Sequence, residues 1–264
     1  MVIDFHTHCF PDPIAPKAIE KLSLASGGLH PHTDGTVAGL RRSMAQGDVD
    51  CSVVMHIATS PHQQQKVNDF AAAIQNRQDV FCFGSVHPAA PDVMEELERI
   101  KALGLAGVKL HPDYQGFRVD ELRMKPIYRK ISTLGLPTLF HAGLDYGFAP
   151  PYGGMPEGMA TALSWFDSPV IAAHWGGINC AEEVLEHLAG RDIYFDISFG
   201  YAMLPKYYAE RIVEKHGTDR LLFGTDTPWH TPEMERRLLD TLSLTEQERE
   251  QIFSGNAKRL LGME

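Results

Sequence analysis

Eight short apolar runs, each followed by a segment of helical periodicity, restrict this chain to a small set of folds. The runs are Val2–Phe5, Ser52–Ile57, Phe81–Val86, Gly107–Leu110, Pro137–Phe140, Val170–Ala173, Ile193–Ile197 and Leu221–Gly224. They are rich in the residue types that favour strands. Between them, apolar spacing predicts helices over Val37–Gln46, Gln64–Asn76, Asp92–Leu103, Glu121–Leu134, Gly158–Trp165, Ala181–Leu188, Pro205–His216 and Thr231–Leu242. Two more, Glu246–Phe253 and Asn256–Leu261, close the chain. Strands that alternate with helices pair in parallel through crossover connections. Eight such units in 264 residues fit one α/β domain over the whole chain, a (β/α)8 TIM barrel, for which roughly 250 residues is usual. An open doubly wound sheet is the competing arrangement, but it calls for a glycine-rich phosphate turn after the first strand. Here that strand runs into His6-Thr7-His8 instead.

Composition narrows the function classes. With 44% hydrophobic and 22% charged residues, the chain is neither disordered nor a disulfide-stapled miniprotein. No apolar run approaches the roughly 18 residues that cross a bilayer, and the first residues carry no basic or apolar leader. The expected setting is the cytoplasm. A formal net charge of −10 disfavours nucleic acid and anionic membranes as partners. The four cysteines, Cys9, Cys51, Cys82 and Cys180, are far apart and form no zinc or disulfide framework. Internal repeats and low-complexity tracts are absent. The Pro/Gly-rich stretch Gly143–Gly158 lies between a strand and a helix, where a long loop is more often functional than a linker.

Thirteen histidines are the compositional anomaly, and their positions follow the strands. His6 and His8 end the first strand, His111 the fourth, His141 the fifth and His174 the sixth, while Asp226 ends the eighth. His56 and His87 lie near the ends of the second and third. In a barrel these ends meet on one face, where active sites are built. Strand alternation makes His6 and His8 share a direction and turns Ile3 and Phe5 towards the helices. By the same rule Val108 and Leu110 face the helices, whereas Lys109 and His111 point inward. Two imidazoles so placed can grip one cation, and imidazole with carboxylate suits zinc or a similar first-row metal. Cys9, one position on from His8, points the other way and reads as packing.

Five segments, Val-Ile-Asp-Phe-His-Thr-His (2–8), Gly-Val-Lys-Leu-His-Pro (107–112), His-Ala-Gly (141–143), Ala-His-Trp-Gly-Gly (173–177) and Phe-Gly-Thr-Asp-Thr-Pro (223–228), together resemble the amidohydrolase superfamily. The similarity is greatest to its amidohydrolase 2 branch, which includes relatives of aminocarboxymuconate-semialdehyde decarboxylase. Gly-Asn-Ala-Lys-Arg-Leu-Leu-Gly (255–262) resembles that branch's closing helix. The resemblance implies one divalent metal, zinc, held by His6, His8, His141 and Asp226. Such an ion lowers the pKa of its water to about 7. Asp226 would also accept the water proton, and His174 would activate the water or stabilise the developing oxyanion.

Lys109 has two readings. Some amidohydrolases carry a carbamylated lysine on the fourth strand that bridges two metals, and Lys109, His141 and His174 match that second-metal pattern. The Lys-Leu-His-Pro form also resembles mononuclear members, in which Lys109 would be a cation facing an anionic substrate. One ion is favoured over two. The expected substrate-binding residues are Lys109, His111, Asp145, Tyr146 and Trp175, with Tyr152 a further loop candidate and Arg118 a further cation. His30 and His32 fall in the first βα loop.

The leading functional expectation is a metal-dependent hydrolase that uses a metal-activated water on an ester, lactone, amide or other C–N bond of a small organic, anionic substrate. The alternative is nonoxidative decarboxylation of an unsaturated or aromatic acid, because the branch performs both chemistries on the same ligands. The branch's decarboxylases tend to be longer, and the compact chain tilts the expectation to hydrolysis. A noncatalytic metal-binding scaffold has no need of an inward acid and base. The default assembly is a homodimer, the commonest for enzymes of this kind.

Overall fold

The eight expected strands form and pair in sequence order as one parallel sheet, β1 to β8. They are β1 Ile3–Thr7, β2 Cys51–Met55, β3 Val80–Gly84, β4 Gly107–Leu110, β5 Thr138–Phe140, β6 Val170–Ala172, β7 Tyr194–Asp196 and β8 Leu221–Leu222. This computed structural model describes residues 1–263. Backbone bonds from Phe5 N–H to the Phe223 carbonyl (2.7 Å), from Asp226 N–H to His6 (2.7 Å) and from His8 N–H to Thr227 (2.6 Å) join β1 to the chain beyond β8. The barrel is thereby closed and leaves no free edge.

The helices are α1 Ala15–Ala25, α2 Val37–Gln46, α3 Gln64–Ile74, α4 Val93–Ala102, α5 Pro112–Gln115 and α6 Lys125–Thr133. They continue as α7 Pro156–Ala162, α8 Ala181–His187, α9 Lys206–His216, α10 Pro232–Asp240, α11 Glu246–Glu250 and α12 Asn256–Leu261. Helices α2 and α12 have the boundaries read from the sequence, and Thr36 caps α2 by accepting from Gly39 N–H at 2.9 Å. Two helices were not anticipated. The four residues of α5 follow His111 directly, and α1 buries only Ala15 and Ile19, so its apolar periodicity is faint.

Register fixes which side chains fill the barrel. Lys109 lies beside Leu139, Leu139 beside Ile171, and Ile171 beside Tyr194. Met55, Phe83, Leu139, Ile171 and Leu222 form one buried cluster, which Ala257 and Leu261 of α12 close at the end where the strands begin. Asn256 secures that closure, donating to the carbonyls of Thr218 (2.7 Å) and Leu221 (2.6 Å). The alternate residues, among them Val108, Leu110 and Phe140, pack outward against helical side chains such as Leu97, Ile100 and Tyr128.

β1 corrects the simple alternation. Ile3 and Phe5 belong to the interior cluster rather than to the helix layer. The register against β2 shifts between Asp4 and Thr7, so Phe5 and His6 together oppose one residue. This β-bulge resets the parity of everything beyond it. His6 therefore also turns into the barrel although it directly follows an inward Phe5. Deleting the buried Phe5 ring, as in Phe5→Ala, belongs to a class of change that costs about 3–5 kcal/mol.

Candidate active site

Three acceptor atoms converge at the strand ends. His6 Nε2 lies 3.2 Å from His8 Nε2, and Asp226 Oδ1 lies 3.4 Å from the first and 3.1 Å from the second. The tautomers follow from the partners on the far side of each ring. His6 Nδ1 faces the Asp196 carboxylate at 3.0 Å, and His8 Nδ1 faces the Met55 carbonyl at 2.8 Å. Both partners only accept, so each neutral imidazole donates through Nδ1 and presents a lone pair at Nε2. Two lone pairs and a carboxylate oxygen at such spacing repel unless a cation lies among them. A tetrahedral ion with ligands at about 2.0–2.1 Å spaces those ligands about 3.3 Å apart, and the triangle has that size. The donor set fits a divalent metal.

Backbone conformation aims two of these groups. Asp226 and His174 adopt φ of 64° and 60°, a left-handed region that non-glycine residues seldom enter and that is common at functional sites. His174 Nδ1 lies 2.9 Å from Ser198 Oγ, and its Nε2 lies 3.1 Å from His141 Nδ1. Ser198 Oγ also donates to Asp196 Oδ1. Asp196 and Ser198, which the sequence reading passed over, thus support His6 and His174 together. A signal was present: Phe-Asp-Ile-Ser ends β7 with two polar residues at strand spacing.

The remaining predicted residues divide. His141 Nε2 meets the Leu144 carbonyl at 3.1 Å, and its ring stacks on His111 with centroids 4.2 Å apart. His111 Nε2 meets Asp145 Oδ2 at 3.1 Å, while its Nδ1 accepts from Tyr114 N–H at the start of α5. His111, His141 and Asp145 thus form a second group with metal-ligand atoms, apart from the triangle. Lys109 Nζ lies 3.4 Å from His6 Nε2, inside the barrel and 1% exposed. Trp175 is buried and lines a separate, smaller cavity. Arg118 pairs with Asp120 at the surface. His30 and His32 pack edge to face outside the main cavity.

Burial and neighbouring charge set the proton states. Burial by itself would raise the Asp226 carboxyl, but His6, His8 and His174 outweigh it and hold the group well below the usual carboxylate range. Asp196 behaves likewise: burial opposes ionisation, and His6, with its hydrogen bond, overcomes it. Desolvation pushes His174 down to about 4, and it holds His111 and His141 well below the ordinary histidine value. It also lowers Lys109 to about 8, against the pull of Asp196, Asp226 and Asp145. The site therefore offers neutral imidazoles and ionised carboxylates near neutral pH.

These groups lie in a cavity of about 630 Å³, lined by His6, His8, Lys109, His111, His141, His174 and Asp226 and otherwise largely by apolar side chains. Asp145 and Tyr146, carried by the loop after β5, line it too. That loop is anchored where Gly143 (φ 83°) passes so close to Ile178 that a Cβ would meet its backbone at 2.4 Å.

A parallel barrel with a histidine–carboxylate triangle at its strand ends defines a TIM-barrel protein with a candidate cation site. The chain belongs to the amidohydrolase family, whose profile matches residues 3–263. That membership makes it an enzyme of the amidohydrolase superfamily, and the family is metal-dependent. No curated protein matches the sequence. Among solved structures, an uncharacterised TIM-barrel protein from Bordetella bronchiseptica is 20% identical, with a TM-score of 0.79 over 99% of this chain and 98% of that one. The 5-carboxyvanillate decarboxylase of Sphingomonas paucimobilis is 15% identical, with a TM-score of 0.75 over 100% and 99%. A probable 2-pyrone-4,6-dicarboxylic acid hydrolase from Acinetobacter baumannii, solved with citric acid bound, is 16% identical, with a TM-score of 0.71 over 99% of both chains. These likenesses show the fold. Among the described residues no helix is long and apolar enough to cross a membrane.

Proposed function

We propose that the protein is a metal-dependent hydrolase of a small organic ester, lactone, amide or related C–N bond. The observation that carries the reading is the triangle of His6 Nε2, His8 Nε2 and Asp226 Oδ1, whose edges are 3.1–3.4 Å at the wall of an otherwise mainly apolar cavity. A divalent metal, zinc in this proposal, supplies Lewis acidity there and makes water a competent nucleophile near neutral pH. His6, His8 and Asp226 would hold it, and His141 would join them by giving up its bond to the Leu144 carbonyl or to His174.

The chain's own residues then divide the work. Asp196 and the Met55 carbonyl fix the two imidazoles of the triangle through their Nδ1 atoms. Asp226 would accept the proton of the attacking water on Oδ2, the carboxylate oxygen outside the triangle, and return it to the leaving group. His174, whose Nδ1 is held by Ser198, would present its Nε2 lone pair to the attacking water and orient it by accepting a hydrogen bond. Lys109 is the fixed cation beside His6 and draws the polar end of the substrate inward. His111 and Asp145, paired at 3.1 Å, orient that end from the opposite wall, and Tyr146 contributes at the cavity surface. The one-metal reading keeps Lys109 as an ammonium, and its Nζ lies 3.4 Å from His6 Nε2.

The test is turnover by metal-replete protein on a panel of aryl esters, lactones, anilides and aromatic carboxylic acids, reading product acid and released CO2 separately. Acid formation without CO2 supports the hydrolase. CO2 release from an aromatic acid, with no acid formed from the esters, lactones or anilides, replaces it with the decarboxylase alternative.

A further inference from the structure

α1 meets the cavity in an unusual way. Ile14, Ala18, Leu22 and Ser26 recur every fourth residue and all line the cavity, so they form one face of the helix. The face that packs on the body of the protein is much smaller, with only Ala15 and Ile19 buried. Across the gap, Val67 and Phe70 of α3 supply a second apolar wall. Ala18, Leu22, Val67 and Phe70 are half-buried and Ile14 is exposed, so the fold leaves this surface partly uncovered where it adjoins the histidines.

Charge is distributed unevenly along the same cavity. Among the described residues its lining contains two lysines, Lys66 and Lys109, and no arginine. Lys109 is buried at the deep end beside His6. Lys66 is exposed and therefore at the rim, where an ion pair is weak. An anionic group at the deep end meets Lys109. A second carboxylate lying against Ile14, Ala18, Leu22, Val67 and Phe70 would lose hydration to apolar side chains, with only the exposed Lys66 at the rim to offset the loss.

We propose that the substrate carries one polar, reactive end and an extended apolar body, an aliphatic or aryl chain that lies between the Ile14–Ala18–Leu22 face of α1 and the Val67–Phe70 face of α3. It is neutral or singly charged and not a compact polycarboxylate. The inference rests on the proposed hydrolase only for which end reacts. The apolar walls act on ground-state binding whatever bond is broken.

Binding, not turnover, tests it. Butyrate, hexanoate and octanoate resemble acids released from such substrates, and their affinities for the metal-replete protein are measured by isothermal titration calorimetry. Each added methylene is expected to tighten binding by up to about four-fold, with hexanoate binding more tightly than adipate, its dicarboxylate of equal length. Leu22→Asp is expected to abolish the gain from chain length while leaving butyrate affinity and metal content unchanged, because Leu22 lies on the cavity face of α1. Affinity that ignores length, preference for adipate, octanoate binding that survives Leu22→Asp, or no binding across the series overturns the proposal. A chain-length effect in a protein that hydrolyses nothing would keep this inference and remove the hydrolase reading. Hydrolysis without a chain-length effect would do the reverse.

Discussion

The two histidine groups on facing walls of the cavity use the same residue types and end in opposite conditions. In the triangle, His6 and His8 spend their Nδ1 atoms on Asp196 and Met55, and both Nε2 lone pairs are left facing Asp226. On the other wall, His141 Nε2 donates to the Leu144 carbonyl, which leaves its Nδ1 lone pair 3.1 Å from His174 Nε2. His111 is satisfied by Tyr114 N–H and Asp145. One group gathers two Nε2 lone pairs and a carboxylate oxygen, with only the Lys109 ammonium 3.4 Å from His6 Nε2, whereas in the other the His111–Asp145 pair closes on itself through hydrogen bonds. Supporting groups behind the rings, more than the count of histidines, decide which cluster is prepared for a metal.

The largest expected effect breaks that asymmetry. The double variant His6→Ala/His8→Ala should lose most of its metal by elemental analysis, whereas His111→Ala should retain it. Equal loss in both, or full occupancy in the double variant, would make the two walls equivalent. His174→Asn sharpens the same contrast: it should keep the first metal and lose most turnover. Loss of one of two metal equivalents would instead place His174 and Lys109 around a second ion.

The next effect is smaller and concerns Asp226 alone. Asparagine keeps an oxygen for the ion but cannot take the water proton. Asp226→Asn should therefore fold and retain part of its metal, while kcat on the true substrate falls by about 10²–10⁴. Near-normal kcat at saturating metal would reduce Asp226 to a cap held by its neighbours.

Much of this arrangement was legible in the sequence because the strands announce themselves. Their apolar runs are short, and the polar residues that interrupt them fall at the ends, so the sequence alone puts His6, His8 and Asp226 on one face. What alternation could not supply was the bulge in β1. Counting by twos sent Ile3 and Phe5 to the helices, yet they lie inside with Phe83. His6 and His8 still share a direction because the bulge resets the parity at His6 and alternation resumes from there. Asp196 and Ser198 were missed for a different reason: their importance lies in what stands in front of them, His6 and His174, and that proximity spans strands far apart in sequence. α1 escaped because its apolar stripe addresses the cavity instead of the core, and a periodicity search expects the core.

The smallest expected effect comes from a histidine outside both groups. His216, at the end of α9, is 4% exposed and stacks on Phe195 with centroids 4.0 Å apart. Its Nδ1 accepts from Gly190 N–H at 3.1 Å. Burial pushes its pKa down from 6.5 to about 4, with Arg220 acting in the same direction and Asp219 and a backbone bond to Ile193 against it. Above pH 6.5 the ring is neutral folded or unfolded, and its contribution is fully present. As pH falls from 6.5 towards 4, the unfolded chain takes up a proton that the folded chain refuses, so stability declines. That window is worth at most about 3 kcal/mol. Chemical denaturation at several pH values should show a shallower decline for His216→Leu than for the wild type between pH 6.5 and 4, even if the variant starts less stable for want of the Gly190 bond. Parallel curves would mean that the His216 ring takes up its proton as readily in the fold as in water. The ring would then contribute its packing on Phe195 and its bond from Gly190 without any pH dependence of its own.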